Sequence, residues 1–120
     1  MKLFTKAQHE KLLANGRASV LNPNTDHRPV VKLFTPDAAA TWLLTEIDPE
    51  DTNRAYGLCD LGMGYAEFGS VWLPEIIALR GHLGLHVERD RSFAAQGRIS
   101  AYIKASQAEG RIVEQLPAMA

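Results

Sequence analysis

Between Thr41 and Leu73 apolar and polar positions alternate with a period of two, and turn-forming residues break the run twice. Thr41 to Ile47 is rich in β-branched and aromatic residues, which suit a pleated, half-buried surface. Alternation puts Trp42, Leu44 and Glu46 on one face and Leu43, Thr45 and Ile47 on the other. Leucines on both faces predict a central strand. Pro49 lacks an N–H, and Asp48, Asp51 and Asn53 bond readily to nearby backbone, so the chain should reverse there. Arg54 to Asp60 alternates again. Gly62-Met63-Gly64 supplies positions that accept positive φ, and Tyr65 to Trp72 returns. The pattern predicts a three-stranded antiparallel meander over 41–72.

The flanks are mixed. Thr5 and Gln8 have the spacing of a capping box, Leu12 and Leu13 follow as an apolar stripe, and Asn15-Gly16 reads as a stop, so a helix is expected at 5–15. Residues 16–29 have loop composition. Val30 to Phe34 reads as a strand ended by Pro36 and expected to pair with Thr41 to Ile47. Leu73 to Gly81 reads as a compact helix over 74–80, with Pro74 at its start, Arg80 in its last turn and Gly81 after it. His86 to Phe93 alternates like a short edge strand. Ser100 suits an N-cap and Gly110 a stop for a helix over 101–109. The tail 114–120 should fray, leaving one globular domain over 1–113. The expected fold is α+β: an antiparallel sheet of four or five strands with about three short helices. Leu12, Val31, Leu33, Leu44, Leu58, Phe68, Trp72, Ile77 and Ile103 are its expected core.

Composition narrows the class. With 120 residues, 46% hydrophobic and 22% charged, the chain is a soluble-type globular domain long enough for a real core. No apolar run approaches bilayer length, and the N-terminus lacks a signal-peptide h-region. One cysteine cannot form an internal disulfide, so a reducing cytoplasm is the expected compartment. Net charge is −1, but it is segregated. Residues 37–67 carry seven acids against Arg54, while residues 1–36 and 80–111 each carry six Lys and Arg. Either the flanks pack around the acidic middle and neutralise it, or the surface is bipolar.

Candidate chemistry falls into two groups. Glu46, Asp48, Glu50, Asp51 and Asp60 form an acidic set that could meet a basic partner or hold a hard cation, although no Ca²⁺-loop spacing is present. Asp60, at the end of an apolar strand, needs a partner or a purpose. Arg89, Arg91 and Arg98, with Lys104, are the candidate phosphate contacts. Three other features argue against themselves. Gly62-Met63-Gly64 lacks the third glycine and the following helix of a dinucleotide loop. His82 and His86 are separated by glycine and have no paired cysteines. Cys59 lies in an apolar strand, where a thiol acts as a small hydrophobe. No metal and no cofactor is expected.

The runs KLFTPDAAATWLLTEIDPED, GLCDLGMGYAEFG, LPEIIALRG and HVERDRSF occur in that order. Together they resemble a family of small uncharacterised bacterial proteins often carried on conjugative plasmids and integrative elements. The resemblance spans about residues 1–111. It implies a single compact domain and an association with mobile DNA, and it lends no residue a role. Three readings stand at this point. A non-catalytic accessory protein binds a protein partner; a nucleic-acid module uses the basic strand; or a metal-dependent nuclease uses the carboxylates. The absence of a catalytic constellation favours the first, with the chain a monomer or weak homodimer away from membranes.

Overall fold

The structure, a computed structural model, describes residues 3–117. In chain order the elements are α1 (Lys6–Leu21), β1 (Val31–Phe34), β2 (Thr41–Ile47), β3 (Arg54–Asp60), β4 (Glu67–Trp72), α2 (Leu73–Ala78), β5 (Glu88–Arg89) and α3 (Ile99–Glu109). The strands form one antiparallel sheet in the order β4-β3-β2-β1-β5, so the α+β architecture and the meander are as the alternation predicts. Gly62 and Gly64 take φ of 78° and 90° in the β3–β4 connection, the left-handed geometry that glycine accepts without a Cβ penalty.

The two faces of the sheet bury separate cores. One contains Leu12, Val31, Leu33, Trp42, Leu44, Ile47 and Ile76, and lies beneath α1 and α2. The other contains Leu43, Leu58, Ala66, Ile99, Tyr102 and Ile112, and is closed by α3 and the segment after it. Leu33, Leu44 and Leu58 are fully buried, each stabilising the fold by about 1.5–3 kcal/mol relative to exposure. A bulge between Leu44 and Glu46 keeps Ile47 on the first face.

Helix α1 starts as its sequence predicts. Thr5 Oγ1 accepts from the Gln8 amide and Gln8 Oε1 accepts from the Thr5 amide. It does not stop at Gly16 but runs to Leu21. The reason is packing. Strand β1 begins to pair at Val30, whose amide donates to Leu44 O, so the backbone of β2 beyond Leu44 has no strand on that side. Helix α1 fills the gap: Asn15 Nδ2 donates to Thr45 O at 2.9 Å, and Gly16 sits directly against the Ile47 carbonyl.

Other expectations shift for similar reasons. Helix α2 ends at Ala78, and Arg80 just beyond it donates to the carbonyls of Ile77 and Leu79. The expected strand 86–93 shrinks to Glu88–Arg89, with one isolated bridge from Arg80 to His86. Helix α3 begins at Ile99 with Arg98, not Ser100, at its N-cap. The capping carboxylate comes instead from Asp26, which accepts from both the amide and the hydroxyl of Ser100. Phe68 and Trp72, expected in the core, are 42% and 38% exposed because β4 is the outer strand of the sheet, and Ile77, also expected there, is 39% exposed on α2 while its neighbour Ile76 is buried. Of the stretch read as fraying, Glu114 and Leu116 make side-chain and backbone bonds, and residues 118–120 lie outside the described residues.

Glycine substitutions test the α1–β2 contact. Helix propensity alone says Gly16→Ala stabilises by roughly 1 kcal/mol. A Cβ there would stand 1.9 Å from Ile47 O, so the expected outcome is a loss of roughly 1–3 kcal/mol in urea unfolding. Gly69→Ala, with no heavy atom within 4 Å of the added carbon, should be near neutral. Equal midpoints for the two variants would refute the close approach.

Candidate functional site

The outer edge of β4 is the most exposed apolar part of the sheet. Leu73 N donates to Asn53 O at 2.7 Å, which fixes the parity of the strand: odd-numbered backbone groups turn toward β3 and even-numbered ones turn away. The amides and carbonyls of Phe68 and Ser70 therefore point outward, and no described strand pairs with them. Phe68 and Trp72 share one face with Ser70 between them. Arg54 stacks over the Trp72 ring, 5.8 Å from its centroid. Leu61, Met63 and Tyr65 before the strand and Ile77 and Leu79 after it are also exposed. A shallow depression of about 690 Å³ opens beside them, with Trp42, Cys59, Val71 and Leu79 in its walls. Burial pushes the Cys59 thiol up, Trp42 opposes this, and the charges of Asp60 and Glu67 add to it, so the sulfur is no activated nucleophile.

The acidic residues separate. Glu46 Oε1 accepts from the hydroxyl of Ser19 on α1 at 3.0 Å. Asp48 and Asp51 each cap a turn, accepting from the amides of Glu50 and Asn53, and Glu50 is exposed. Asp60 is 6% exposed and fully engaged: one oxygen accepts from Gly62 N at 2.8 Å, the other from Ile112 N at 3.0 Å. Its purpose is to pin the segment after α3 to the end of β3. Among the described residues no three His, Cys, Asp or Glu side chains gather as metal ligands would.

The basic residues divide as well. Arg89 on β5 and Arg91 in the following turn line one depression together with Lys32. Arg98 donates to the Asp26 carbonyl and borders a different one, with Lys11, His27 and Arg28. Lys104 is exposed on α3. Lys32, on β1, is the residue that sequence reasoning passed over. It is 7% exposed, and its ammonium bonds Asp90 at 3.2 Å and also Glu114. Burial alone would lower its pKa, but Glu114 and Asp90 outweigh that and hold it above the ordinary lysine value. Its partners stand 58 and 82 residues away, so no local spacing announces the site.

A second cluster also lay beyond local reading. The Ser19 hydroxyl lies 2.8 Å from Thr25 Oγ1, 3.0 Å from His27 Nε2 and 3.0 Å from Glu46 Oε1. Serine and histidine are in contact, but the carboxylate bonds the serine and not the imidazole, so the base–orienter order of a hydrolytic triad is missing. The cluster ties the loop 22–30 to α1 and β2.

A family model described as "Protein of unknown function (DUF2958)" matches residues 3–113. The chain belongs to that family. No curated protein and no solved structure matches it. The matched span contains all five strands and three helices, and with them the β4 edge, Lys32 and Asp90. Glu114 is the first residue past it.

The loop after α2 carries an acid-sensitive anchor. Asp37 Oδ2 accepts from the amides of Leu83 and Leu85, and a Cβ on Gly81 would collide with the same carboxylate. Burial opposes ionisation of Asp37, yet the two amides prevail and hold its carboxyl below the ordinary value near 3.8. The Ser92 hydroxyl likewise depresses Asp90 against the effect of burial, with help from the Ser92 amide and Lys32. A depressed carboxylate stabilises the fold above its ordinary pKa, and this is lost as pH falls through the lower folded value. The urea midpoint should fall as pH drops below the ordinary carboxylate value near 3.8, and Asp37→Asn should make the fall shallower. An acid limb as steep in the variant as in the parent would count against the anchor.

Proposed function

We propose that this chain is a non-catalytic accessory protein of mobile genetic elements that works by binding a protein partner. The partner adds an extended segment to the outer edge of β4. The observation that carries this reading is the contrast between the two edges of one sheet. Natural sheets protect their edges with short strands, charges, proline or bulges. At the β5 edge the strand is two residues long and both are charged. At the β4 edge the six-residue strand EFGSVW turns the amides and carbonyls of Phe68 and Ser70 outward, beside the half-exposed rings of Phe68 and Trp72. An added strand would gain main-chain hydrogen bonds there, with Phe68 and Trp72 gripping alternate side chains.

Charge indicates the kind of segment. Between residues 41 and 79 there are seven carboxylates and one arginine. An extended segment with apolar alternation and basic flanks would complement that end of the sheet and be drawn to it. The likeness of the ordered sequence runs to proteins of plasmids and integrative elements supports the genetic setting.

Ser70→Pro tests the reading. The Ser70 amide points outward, so proline removes a docking donor while the ladder bonds to β3 remain. Phe68→Asp is a companion change at an exposed position. Affinity capture from cells carrying the gene should recover a protein with the parent chain and lose it with both variants, while their circular dichroism stays unchanged. Retention of the same protein by both variants would refute the β4 edge as the binding surface.

A further inference from the structure

The hydrogen bonds around Ser19 fix the tautomer of His27. Ser19 Oγ has one proton, and the Glu46 carboxylate at 3.0 Å can only accept, so the proton goes there. The other two neighbours must then donate to Ser19: Thr25 through its hydroxyl at 2.8 Å, and His27 through Nε2–H at 3.0 Å. Nδ1 of the neutral ring is left as a bare acceptor. Asn15 is in the same position. Its Nδ2 is committed to Thr45 O, so Oδ1 is an acceptor with no donor among the described residues. The one side-chain polar atom sealed from solvent without a partner, among the described residues, is Asp37 Oδ1, so both of these acceptors open outward.

Asn15 and His27 line one open depression of about 920 Å³, between α1 and the segments 24–30 and 95–98. Two arginines cross its rim. Arg28 Nη1 donates to Ala95 O, and Arg98 Nη1 donates to Asp26 O, so each guanidinium is held at the wall opposite its own backbone with most of its N–H donors free. Lys11 stands one turn before Asn15 on the same face of α1 and also borders the depression. Among the described residues none of these three cations has a carboxylate within 4.0 Å. The one carboxylate in the lining, Asp26, is occupied by the amide and hydroxyl of Ser100. Acceptors inside and cations around the rim call for a ligand that carries an anion and a hydrogen-bond donor side by side. A ribose–phosphate chain offers both at every step, a phosphodiester next to a 2′-hydroxyl, and deoxyribose lacks the donor.

We propose that the depression between α1 and the loop 24–30 binds single-stranded RNA by its ribose–phosphate chain. Lys11, Arg28 and Arg98 meet the phosphodiesters, and His27 Nδ1 with Asn15 Oδ1 accepts from a 2′-hydroxyl. The bond from Nε2 to Ser19 holds the imidazole in the tautomer and orientation that make it an acceptor there. No residue of β4 lines the depression, so this site operates independently of partner docking at that edge.

The test uses the full chain and a short labelled oligouridylate, with oligodeoxyuridylate of the same length and polyglutamate as comparisons, read by fluorescence anisotropy and amide NMR. The RNA should saturate at low salt and shift the amides of Thr25, His27 and Ala95. Three phosphate contacts give a slope of log K against log salt of roughly −2. Lys11→Gln and Arg28→Gln, both at exposed positions, should each weaken binding several-fold and reduce that slope by about 0.7 without moving the urea midpoint. The DNA should bind several-fold more weakly than the RNA, and His27→Phe, which removes the acceptor, should narrow the gap. If His27→Phe fails to fold, the comparison of RNA with DNA on the parent chain still decides. No saturable RNA binding at low salt would overturn the proposal. So would equal affinity for the DNA, an unchanged salt slope in both Lys11→Gln and Arg28→Gln, or polyglutamate that displaces the RNA at matched charge.

Discussion

The structure depends on how the bare end of β2 is covered. Strand β2 is the middle strand of five, and every other strand takes its place from it directly or through one neighbour. Its last residues have β3 on one side and no strand on the other. Buried carbonyls without partners are costly, so something must supply donors and exclude water. Helix α1 does both with two adjacent residues: Asn15 bonds the Thr45 carbonyl, and Gly16 lets the helix backbone lie against Ile47. From that contact follow the extra turns of α1, the position of Ser19 over Glu46, and the path of the loop that returns to β1.

Local rules read much of this from the sequence, and their failures share a cause. The meander was legible because alternation, Pro49 and the paired glycines act over a few residues. Gly16 was misleading because a glycine read by propensity is a stop, whereas here it is a contact. Ser100 looked like a cap because capping preference is local, but the carboxylate that serves it comes from Asp26, 74 residues earlier. Phe68 and Trp72 alternate onto one face of β4. Alternation gives the face of a strand, not its rank in the sheet, and only the rank leaves them half-exposed.

The candidate sites were legible to a smaller degree. The acidic residues close in sequence turn out to do separate structural work, with Asp60 and Glu46 pulled to different partners. Arg89 and Arg91 border the same depression, but the register sets the Arg89 side chain on the face of Leu33, where it bonds Leu3 O, and Arg98 borders a different depression. Lys32 had no signal beyond its charge, since a lysine in an otherwise apolar strand usually points to water. Its environment is assembled from β1, the turn after β5 and the segment after α3, which no window of sequence joins. The bipolar charge pattern is thus partly internal, because a basic flank and an acidic group from later in the chain meet at Lys32.

The cap that Asp26 provides has a consequence for the order of assembly. The start of α3 takes its hydrogen-bond partners from a loop near the other end of the chain: Ile99 N donates to His27 O and Ser100 to Asp26. A helix of 11 residues is marginal alone, so α3 has little reason to persist before that loop is in place. The loop itself waits on α1 and β2, which hold it through Ser19 and Glu46. The second core, with Tyr102 at its centre, is therefore the late-forming half of the molecule. Closing it requires long chain loops, such as the 74 residues between Asp26 and Ser100, and the same hierarchy makes it the half that opens first.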